Sequence, residues 1–419
     1  MTEAVSAGWV VPVDGPPLED AYVAWDDGRI VEVGRGRAAR HYDDAIILLG
    51  IVNAHSHLEY AVYAGFGDGQ PFGSWLGTHI ARKRALDYDE MVAIARRGAA
   101  DSLAAGITTT ADYSFAGAAA KAAGELGLRA IVYLEVFGSD PGEAELRFND
   151  LRSRIAETDL VRVGISPHAP YTCSVDVYRW ALSLGIPVGT HLAESANENE
   201  WLEHGAGPLA PSADVLVRPT GRRSVATLAD VLCPELLCAH CVEVDGGEIA
   251  LLADRDVPVV HCPRSNAVLG CGTAPLAELR AAGLRVGLGT DSPASTPSID
   301  PWAELRAAVY ASRARERRPD ALLAGEALRL ATLDAARALG LESQLGSLTL
   351  GKRADITVLS LAGSPYDPIE DPFVAAVFGG SPAGVLETIV DGQTRYRQGE
   401  TEWQEVRSTA SAARRRMLA

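Results

Sequence analysis

Residues 46–59 read IILLGIVNAHSHLE, and the architecture of the chain follows from this stretch. The apolar run 46–53 has the length of a β-strand, and it leads into two histidines, His55 and His57. Because side chains at positions i and i+2 of a strand project from the same face, the two imidazoles can bind one metal ion together. Two unrelated histidines beside a loop explain such a pair equally well when it stands alone.

The composition and the charge limit the partners of this chain. With 419 residues, 47% of them hydrophobic, the chain is long enough for one large domain and one smaller domain. The formal net charge of -17 argues against nucleic acid and anionic membranes as partners, because both bind positively charged surfaces. We therefore expect a small-molecule substrate.

Three features predict a cytoplasmic protein. No apolar run approaches the roughly 20 residues that a membrane-spanning helix requires. The first residues lack the basic start and the apolar core of a signal peptide. The six cysteines are sparse and show no regular spacing, which is typical of a reducing compartment.

Short apolar runs alternate with helical patterns through the middle of the chain. Eight such runs predict a parallel (β/α)₈ TIM barrel, in which functional residues gather at the carboxyl ends of the strands. The runs lie at 46–53, 106–112, 129–137, 161–166, 187–192, 236–240, 258–262 and 286–290.

The two ends of the chain have a different texture, with short β-rich runs separated by turns. We expect these ends, residues 1–45 and 346–400, to pair into one small β-sandwich. The barrel then occupies residues 46–345, and residues 401–419 form a C-terminal surface helix with no chemistry of its own.

Polar side chains follow five of the predicted strands at the end where a barrel enzyme places its site. A catalytic transition metal binds imidazoles and a carboxylate and keeps one position open for water, and three histidines with one aspartate meet that need. The residues are His55 and His57 after the first strand, His168 after the fourth, His191 and Glu194 after the fifth, His240 after the sixth and Asp291 after the eighth.

The remaining histidines are interpreted as ordinary residues. A single histidine is more often structural than a ligand. His41, His79 and His204 lie in loop or helical stretches, and we expect them at the surface. His261 follows the seventh strand, but the neighbouring Pro263 indicates a role in shaping a loop, so we place it outside the metal ligands.

These segments together resemble the amidohydrolase superfamily, and within it the branch of chlorohydrolases and aromatic-ring deaminases. The resemblance runs nearly end to end. It is carried by residues 53–57 (NAHSH), 166–171 (SPHAPY), 191–194 (HLAE), 261–266 (HCPRSN) and 289–292 (GTDS).

The resemblance implies a mononuclear metal site. Its ligands would be His55, His57, His191 and Asp291. Binuclear members usually bridge two metals with a carboxylated lysine from the fourth strand, whereas the three lysines of this chain, Lys83, Lys121 and Lys352, end no predicted strand. The cofactor would therefore be one divalent ion, zinc in the first place and iron as the alternative.

The same resemblance assigns the catalytic roles. A divalent metal lowers the pKa of bound water to about 7, which makes a nucleophile available at neutral pH. His240 would orient the water, Asp291 would take its proton, and Glu194 would protonate a ring nitrogen of the substrate. The implied reaction is hydrolytic deamination of an amino-substituted, purine-type ring with release of ammonia.

The substrate-binding residues are predicted less directly. His168 matches a position that contacts substrate. Relatives that deaminate adenosine-type compounds carry a Pro-x-Glu element after the first strand, whereas residues 74–84 (SWLGTHIARKR) contain no glutamate. With Trp75 and a basic cluster at Arg82, Lys83 and Arg84, this stretch is more similar to the aminodeoxyfutalosine deaminases of menaquinone biosynthesis. Trp75 and Arg84 are accordingly predicted to bind substrate, with arginine suited to a carboxylate.

Several alternatives remain open from the sequence. The basic cluster is explained equally well as a solvated helix turn. The substrate could instead be S-adenosylhomocysteine or another adenosine-type compound, guanine, a pterin or a chlorinated triazine. Hydrolysis of a cyclic amide and metal-free binding of a small molecule fit the motifs less well. A homodimer is compatible with the sequence.

Overall fold

The computed structural model describes residues 2–418, which form two β-sheets with helices around one of them. The strands are β1 (Glu3–Val11), β2 (Leu18–Asp26), β3 (Arg29–Arg35), β4 (Arg40–Leu49), β5 (Ile51–Ser56), β6 (Ile107–Ser114), β7 (Arg129–Val136), β8 (Val161–Pro167), β9 (Val188–Leu192), β10 (Leu236–His240), β11 (Val259–His261), β12 (Val286–Leu288), β13 (Ile356–Ser360), β14 (Val385–Val390) and β15 (Gln393–Arg397).

Helices connect and surround the strands of the eight-stranded sheet, β5 to β12. They are α1 (Phe72–Arg84), α2 (Tyr88–Ala104), α3 (Ala118–Leu126), α4 (Pro141–Arg152), α5 (Val175–Ser183), α6 (Ala196–His204), α7 (Ser224–Thr227), α8 (Gly246–Asp254), α9 (Pro263–Val268), α10 (Leu276–Ala281), α11 (Pro301–Glu316), α12 (Ala324–Leu330), α13 (Leu333–Ala338), α14 (Pro372–Gly379) and α15 (Gln404–Leu418).

Strands β5 to β12 form the predicted barrel. They lie side by side in chain order, and every described pairing between them is parallel. The first and last strands meet at a parallel bridge between Ser56 and Asp291. There the backbone N–H of Asp291 donates to the carbonyl of His55 at 3.0 Å. Closure of the barrel therefore brings two of the predicted metal ligands side by side.

A glycine permits this close approach of the first and last strands. A Cβ atom on Gly289 would lie 2.7 Å from Cβ of His55 and 2.8 Å from its backbone nitrogen, closer than real Cβ contacts allow. A larger residue at this position would push the first strand away from the end of the eighth.

The terminal segments form a second β unit, as predicted. Its seven strands lie in the order β15-β14-β13-β4-β1-β2-β3, and the two ends of the chain join where β13 pairs antiparallel with β4. This sheet encloses a small core of its own, to which alternate residues of β4 contribute, including Ile47 and Leu49. The intervening Ile46 and Leu48 pack into the large core of the barrel.

The first predicted strand is divided by the structure. Residues 46–49 end β4 in the terminal sheet, and the barrel begins only at Ile51. Gly50 lies between the two strands. Only glycine fits at this position, because a Cβ atom there would lie 2.1 Å from the side chain of Thr108. The boundary predicted at residue 46 thus lies a few residues too early.

The C-terminal helix packs on the loop that follows β5. Ala410, Ala413 and Met417 of α15 are buried against an apolar cluster that includes Val62. Arg414 donates to the backbone carbonyls of Val62 and Ala64, the latter at 3.1 Å. Within residues 2–418, no helix combines the length and the apolar character needed to cross a bilayer.

Candidate metal centre

Four predicted ligands converge at the carboxyl ends of the barrel strands. His55 and His57 lie on β5, His191 lies on β9, and Asp291 follows β12. Oδ1 of Asp291 lies 3.5 Å from Nε2 of His55 and 3.5 Å from Nε2 of His57. The Nε2 atoms of His57 and His191 are 3.3 Å apart.

The hydrogen bonds behind the imidazoles decide which nitrogen carries the proton. Nδ1 of His57 donates to the carbonyl of Tyr113, and Nδ1 of His191 donates to the carbonyl of His168, each at 2.8 Å. Burial lowers the pKa of both rings, that of His191 to about 4, so both are neutral at pH 7. Their Nε2 atoms therefore present lone pairs to each other, an arrangement that a cation between them would stabilise.

His55 supplies the strongest sign of a missing partner. Its side chain is fully buried, and neither ring nitrogen has a hydrogen-bond partner within residues 2–418. The ring packs against that of Tyr113, with centroids 4.4 Å apart. A buried, unpaired imidazole is costly, and a metal ion would satisfy it. Three imidazoles with one carboxylate fit a divalent transition ion such as zinc.

The carboxylate of Asp291 is oriented by its neighbours. Oδ2 accepts hydrogen bonds from the hydroxyls of Ser265 at 2.5 Å and Ser295 at 2.9 Å. Oδ1 accepts from the backbone N–H of Ser292 at 2.7 Å. Such bonds favour the ionised form of the carboxylate, the form that binds a metal or accepts a proton.

Glu194 and His240 lie beside these ligands. Oε1 of Glu194 is 3.8 Å from Nε2 of His240, and both side chains are buried. Burial raises the pKa of the Glu194 carboxyl well above its usual range, and the charges of Asp291 and Glu198 add to the rise. The raised pKa favours the protonated carboxyl, which is the form that can donate a proton.

Two residues that the sequence reasoning did not single out hold this pair in place. The buried carboxylate of Glu198 accepts hydrogen bonds from the backbone N–H groups of Ala193 and Glu194, at 3.1 and 3.0 Å. The side-chain nitrogen of Asn266 lies 3.1 Å from Nδ1 of His240. Asn266 belongs to the motif at 261–266, which was the available signal for its importance.

The centre opens into a cavity with about 590 Å³ of empty space, part of which is open to solvent. One face of α1 forms a wall of this cavity. The side chains on that face are spaced three or four residues apart, as expected for one side of a helix. They are Phe72, Trp75, Leu76, His79, Ile80 and Lys83.

The helical spacing explains which predicted substrate contacts reach the cavity. Trp75 lines it, and its indole N–H donates to the carbonyl of Ala294 at 3.2 Å. The prediction for Arg84 is wrong in position, because this residue is exposed and does not line the cavity. Consecutive helix residues point about 100° apart, so Lys83 faces inward and Arg84 does not.

The other histidines are placed as follows. His168 lines the cavity, and its Nδ1 lies 2.9 Å from the hydroxyl of Thr172. His79 was expected at the surface, but it is buried and lines the cavity because it shares the inner face of α1. His204 is exposed, and His41 is partly buried in β4. His261 is buried outside the cavity wall.

Glu135 lines the cavity and was missed by the sequence reasoning. It lies near the end of β7, the third barrel strand, which was the one signal available for it. Burial raises the pKa of its carboxyl to about 7, against the lowering effect of the Lys83 charge.

The comparisons with known proteins agree with this geometry. A family model described as the amidohydrolase family matches residues 46–395. A 5-methylthioadenosine/S-adenosylhomocysteine deaminase of Symbiobacterium thermophilum is 33% identical over 417 residues, which cover 94% of this chain and 93% of that protein. A 5'-deoxyadenosine deaminase of Methanothermobacter thermautotrophicus is 32% identical and covers 93% of this chain and 94% of its own length. Among solved structures, a zinc-bound adenosine deaminase from Xanthomonas campestris superposes with a TM-score of 0.85 at 27% identity, covering 99% of this chain and 98% of that one.

Proposed function

Given that the chain belongs to the amidohydrolase family, we propose that it is a zinc-dependent hydrolase that deaminates the adenine ring of a 5'-substituted nucleoside. The observation that carries this proposal is the buried carboxyl of Glu194, which lies with His240 and Asp291 beside the other predicted metal ligands. A proton donor next to metal ligands suits attack on an aromatic carbon that bears an amino group.

The residues divide the work of the proposed reaction. The metal, when bound, supplies an activated water by lowering its pKa to about 7. The ionised Asp291 accepts a proton from that water. Glu194 donates its proton to a ring nitrogen, which neutralises the negative charge that develops on the ring as the attacked carbon becomes tetrahedral. The proton held by Asp291 then passes to the amino group, which leaves as ammonia. The new hydroxyl returns a proton to Glu194, and the ring becomes the corresponding oxo compound.

A single metal ion is part of the proposal. Its ligands would be His55, His57, His191 and Asp291, with His240 and Glu194 beside it. Of the three lysines, Lys83 lies on α1 and Lys121 on α3, and Lys352 precedes β13, so none ends a barrel strand to act as a bridging ligand.

The substrate class is suggested by the relatives and the cavity. The two similar proteins are named for 5'-substituted or 5'-deoxy adenosines. Phe72, Trp75 and Tyr171 form an aromatic wall of the cavity. This wall suits an apolar or aryl substituent at the 5' position of the nucleoside. Within this class, 6-aminodeoxyfutalosine is our first candidate, because residues 53–59 and 74–84 resemble the deaminases that act on it. A cytoplasmic location and a role in menaquinone biosynthesis stay predictions from the sequence.

Ammonia release from a panel of compounds tests the proposal. The zinc-loaded protein would be assayed with 6-aminodeoxyfutalosine, 5'-methylthioadenosine, S-adenosylhomocysteine, 5'-deoxyadenosine, guanine and a chlorinated triazine. We expect deamination of adenine nucleosides, with 6-aminodeoxyfutalosine giving the largest kcat/KM. Faster turnover of guanine or the triazine would overturn the substrate class. A higher kcat/KM for 5'-methylthioadenosine would overturn only the specific candidate.

A further inference from the structure

Two groups of opposite charge, the buried Glu135 and the partly buried Lys83, face the cavity without pairing with each other. Glu135 is 2% exposed near the end of β7, and Lys83 lies on the inner face of α1. Both line the cavity together with His168. Within residues 2–418, no ion pair joins Lys83 to a carboxylate, although Lys83 is the strongest charge acting on Glu135.

The Glu135 carboxylate has no hydrogen-bond partner among the described residues. None of the hydrogen bonds described for residues 2–418 reaches this carboxylate, and only the backbone carbonyl of Glu135 is used. One carboxylate oxygen lies within 4.8 Å of ring nitrogens of His168 and His191. A second metal does not explain this grouping, because Nδ1 of His191 donates to a backbone carbonyl and its Nε2 faces His57.

The ammonium of Lys83 has one described acceptor. Nζ donates to the hydroxyl of Tyr60 at 2.8 Å and lies 3.8 Å from the centroid of the Phe115 ring. An ammonium carries three N–H donors, so it retains capacity for an acceptor on a ligand. A partly buried cation with unused donors and a buried carboxylate with unused acceptors on one cavity together suit a ligand group that both accepts and donates hydrogen bonds.

The wall that carries these groups is held by Arg147. Its guanidinium donates to the carbonyl of Glu135 at 2.7 Å and to the carbonyl of Phe115 at 2.8 Å. The same guanidinium stacks over the Phe115 ring, 4.6 Å from its centroid. Arg147 thus holds the backbone that carries Glu135 and Phe115. The position of the Glu135 carboxylate relative to the cavity is thereby defined.

We propose that Lys83 and Glu135 together bind the vicinal hydroxyls of the substrate's ribose. A hydroxyl accepts from the ammonium and donates to the carboxylate, so a neutral diol satisfies both groups at once. A carboxylate placed here would gain Lys83 but would face the charge of Glu135, and an ammonium would meet the reverse problem. This inference rests on the proposed function.

The test compares two substrates that differ only in the diol, adenosine and 2',3'-dideoxyadenosine. The zinc-loaded wild type, Lys83→Met and Glu135→Gln would be assayed for kcat/KM on both, with the exposed Lys121→Met as a matched control. Hydrogen bonds to charged groups are worth about 1.5–3 kcal/mol, so each variant should lose about 10- to 100-fold on adenosine. The same variants should change about twofold or less on the dideoxy substrate, and Lys121→Met should match the wild type on both.

Four outcomes overturn the inference. Equal losses on both substrates, with or without a lowered melting temperature, would make the pair structural. A wild type that does not prefer adenosine would show that the diol is not bound. A Lys83→Met loss confined to a nucleoside with a 5'-linked carboxylate would assign Lys83 to that group instead. Absence of ammonia from every adenine nucleoside would refute the proposed function itself, and this inference with it.

Discussion

Replacing Glu194 by glutamine removes one transferable proton and changes little else. Burial raises the pKa of this carboxyl well above its usual range, which favours the neutral form, and glutamine is neutral as well. Glutamine has nearly the same shape, and the hydrogen bond from the backbone N–H of residue 194 to Glu198 does not involve the replaced group. General acid catalysis typically contributes about 10²- to 10⁴-fold, so kcat should fall by that factor, equivalent to about 3–5 kcal/mol.

The assay separates this effect from damage to the site. Steady-state ammonia release would be measured alongside zinc content and melting temperature, for the wild type, Glu194→Gln and Glu194→Asp. We expect full zinc content and an unchanged melting temperature in the glutamine variant, and partial activity in the aspartate variant because it retains the acid. A glutamine variant with more than about a tenth of the wild-type kcat would refute the proton-donor role. Loss of zinc from it would show that Glu194 is a ligand instead.

Three further predictions concern the metal site and the core. Asp291→Asn should weaken zinc binding by about 100-fold or more and abolish turnover. Ser295→Ala, which removes one hydrogen bond to Asp291, should weaken zinc binding by about tenfold. Chelator competition measures the zinc affinity of both variants. Gly289→Ala should also weaken zinc binding, because its Cβ atom would displace His55, and an unchanged zinc affinity would contradict the closure geometry. Burial raises the pKa of Glu304 from 4.5 to about 8, so the folded state loses stability relative to the unfolded state as pH rises through that window. Glu304→Gln should therefore gain stability over the wild type at pH 8 compared with pH 5, on the order of a few kcal/mol, and an equal difference at both pH values in denaturant titrations would refute this reading.

The barrel and the grouping of its polar residues could be predicted because parallel strands place their carboxyl ends on one rim. His55, His57, His191 and Asp291 each follow a recognisable strand, so their convergence needed only the strand count. The register that brings Nε2 of His57 to 3.3 Å from that of His191 could not be read from the chain, because it depends on how the barrel closes.

The start of the barrel was misplaced for a physical reason. Residues 46–49 are as apolar as a barrel strand because β4 is buried on both faces, with Ile47 in the small core and Ile46 in the large one. Gly50, between the two strands, lies so close to Thr108 that no side chain fits there, and only the folded structure reveals this approach.

The cavity wall on α1 was only partly predicted. The sequence identified Trp75 and a basic cluster that includes Lys83, but it favoured Arg84 within that cluster. His79 was expected at the surface, although His79 and Lys83 lie four and eight residues after Trp75 on the same helix face. A helical projection of 72–84 would have grouped the three and set Arg84 aside. Glu135 gave a weaker signal, since one acidic residue near a strand end does not show what it will face.

The most direct test of a single metal centre is metal analysis of the purified protein together with its His191→Ala variant. We predict about one equivalent of zinc per chain in the wild type, loss of activity when a chelator removes it, and recovery when zinc is restored. The variant should retain little metal and no turnover. An active wild-type preparation with less than about 0.1 equivalent of any divalent metal would contradict the account.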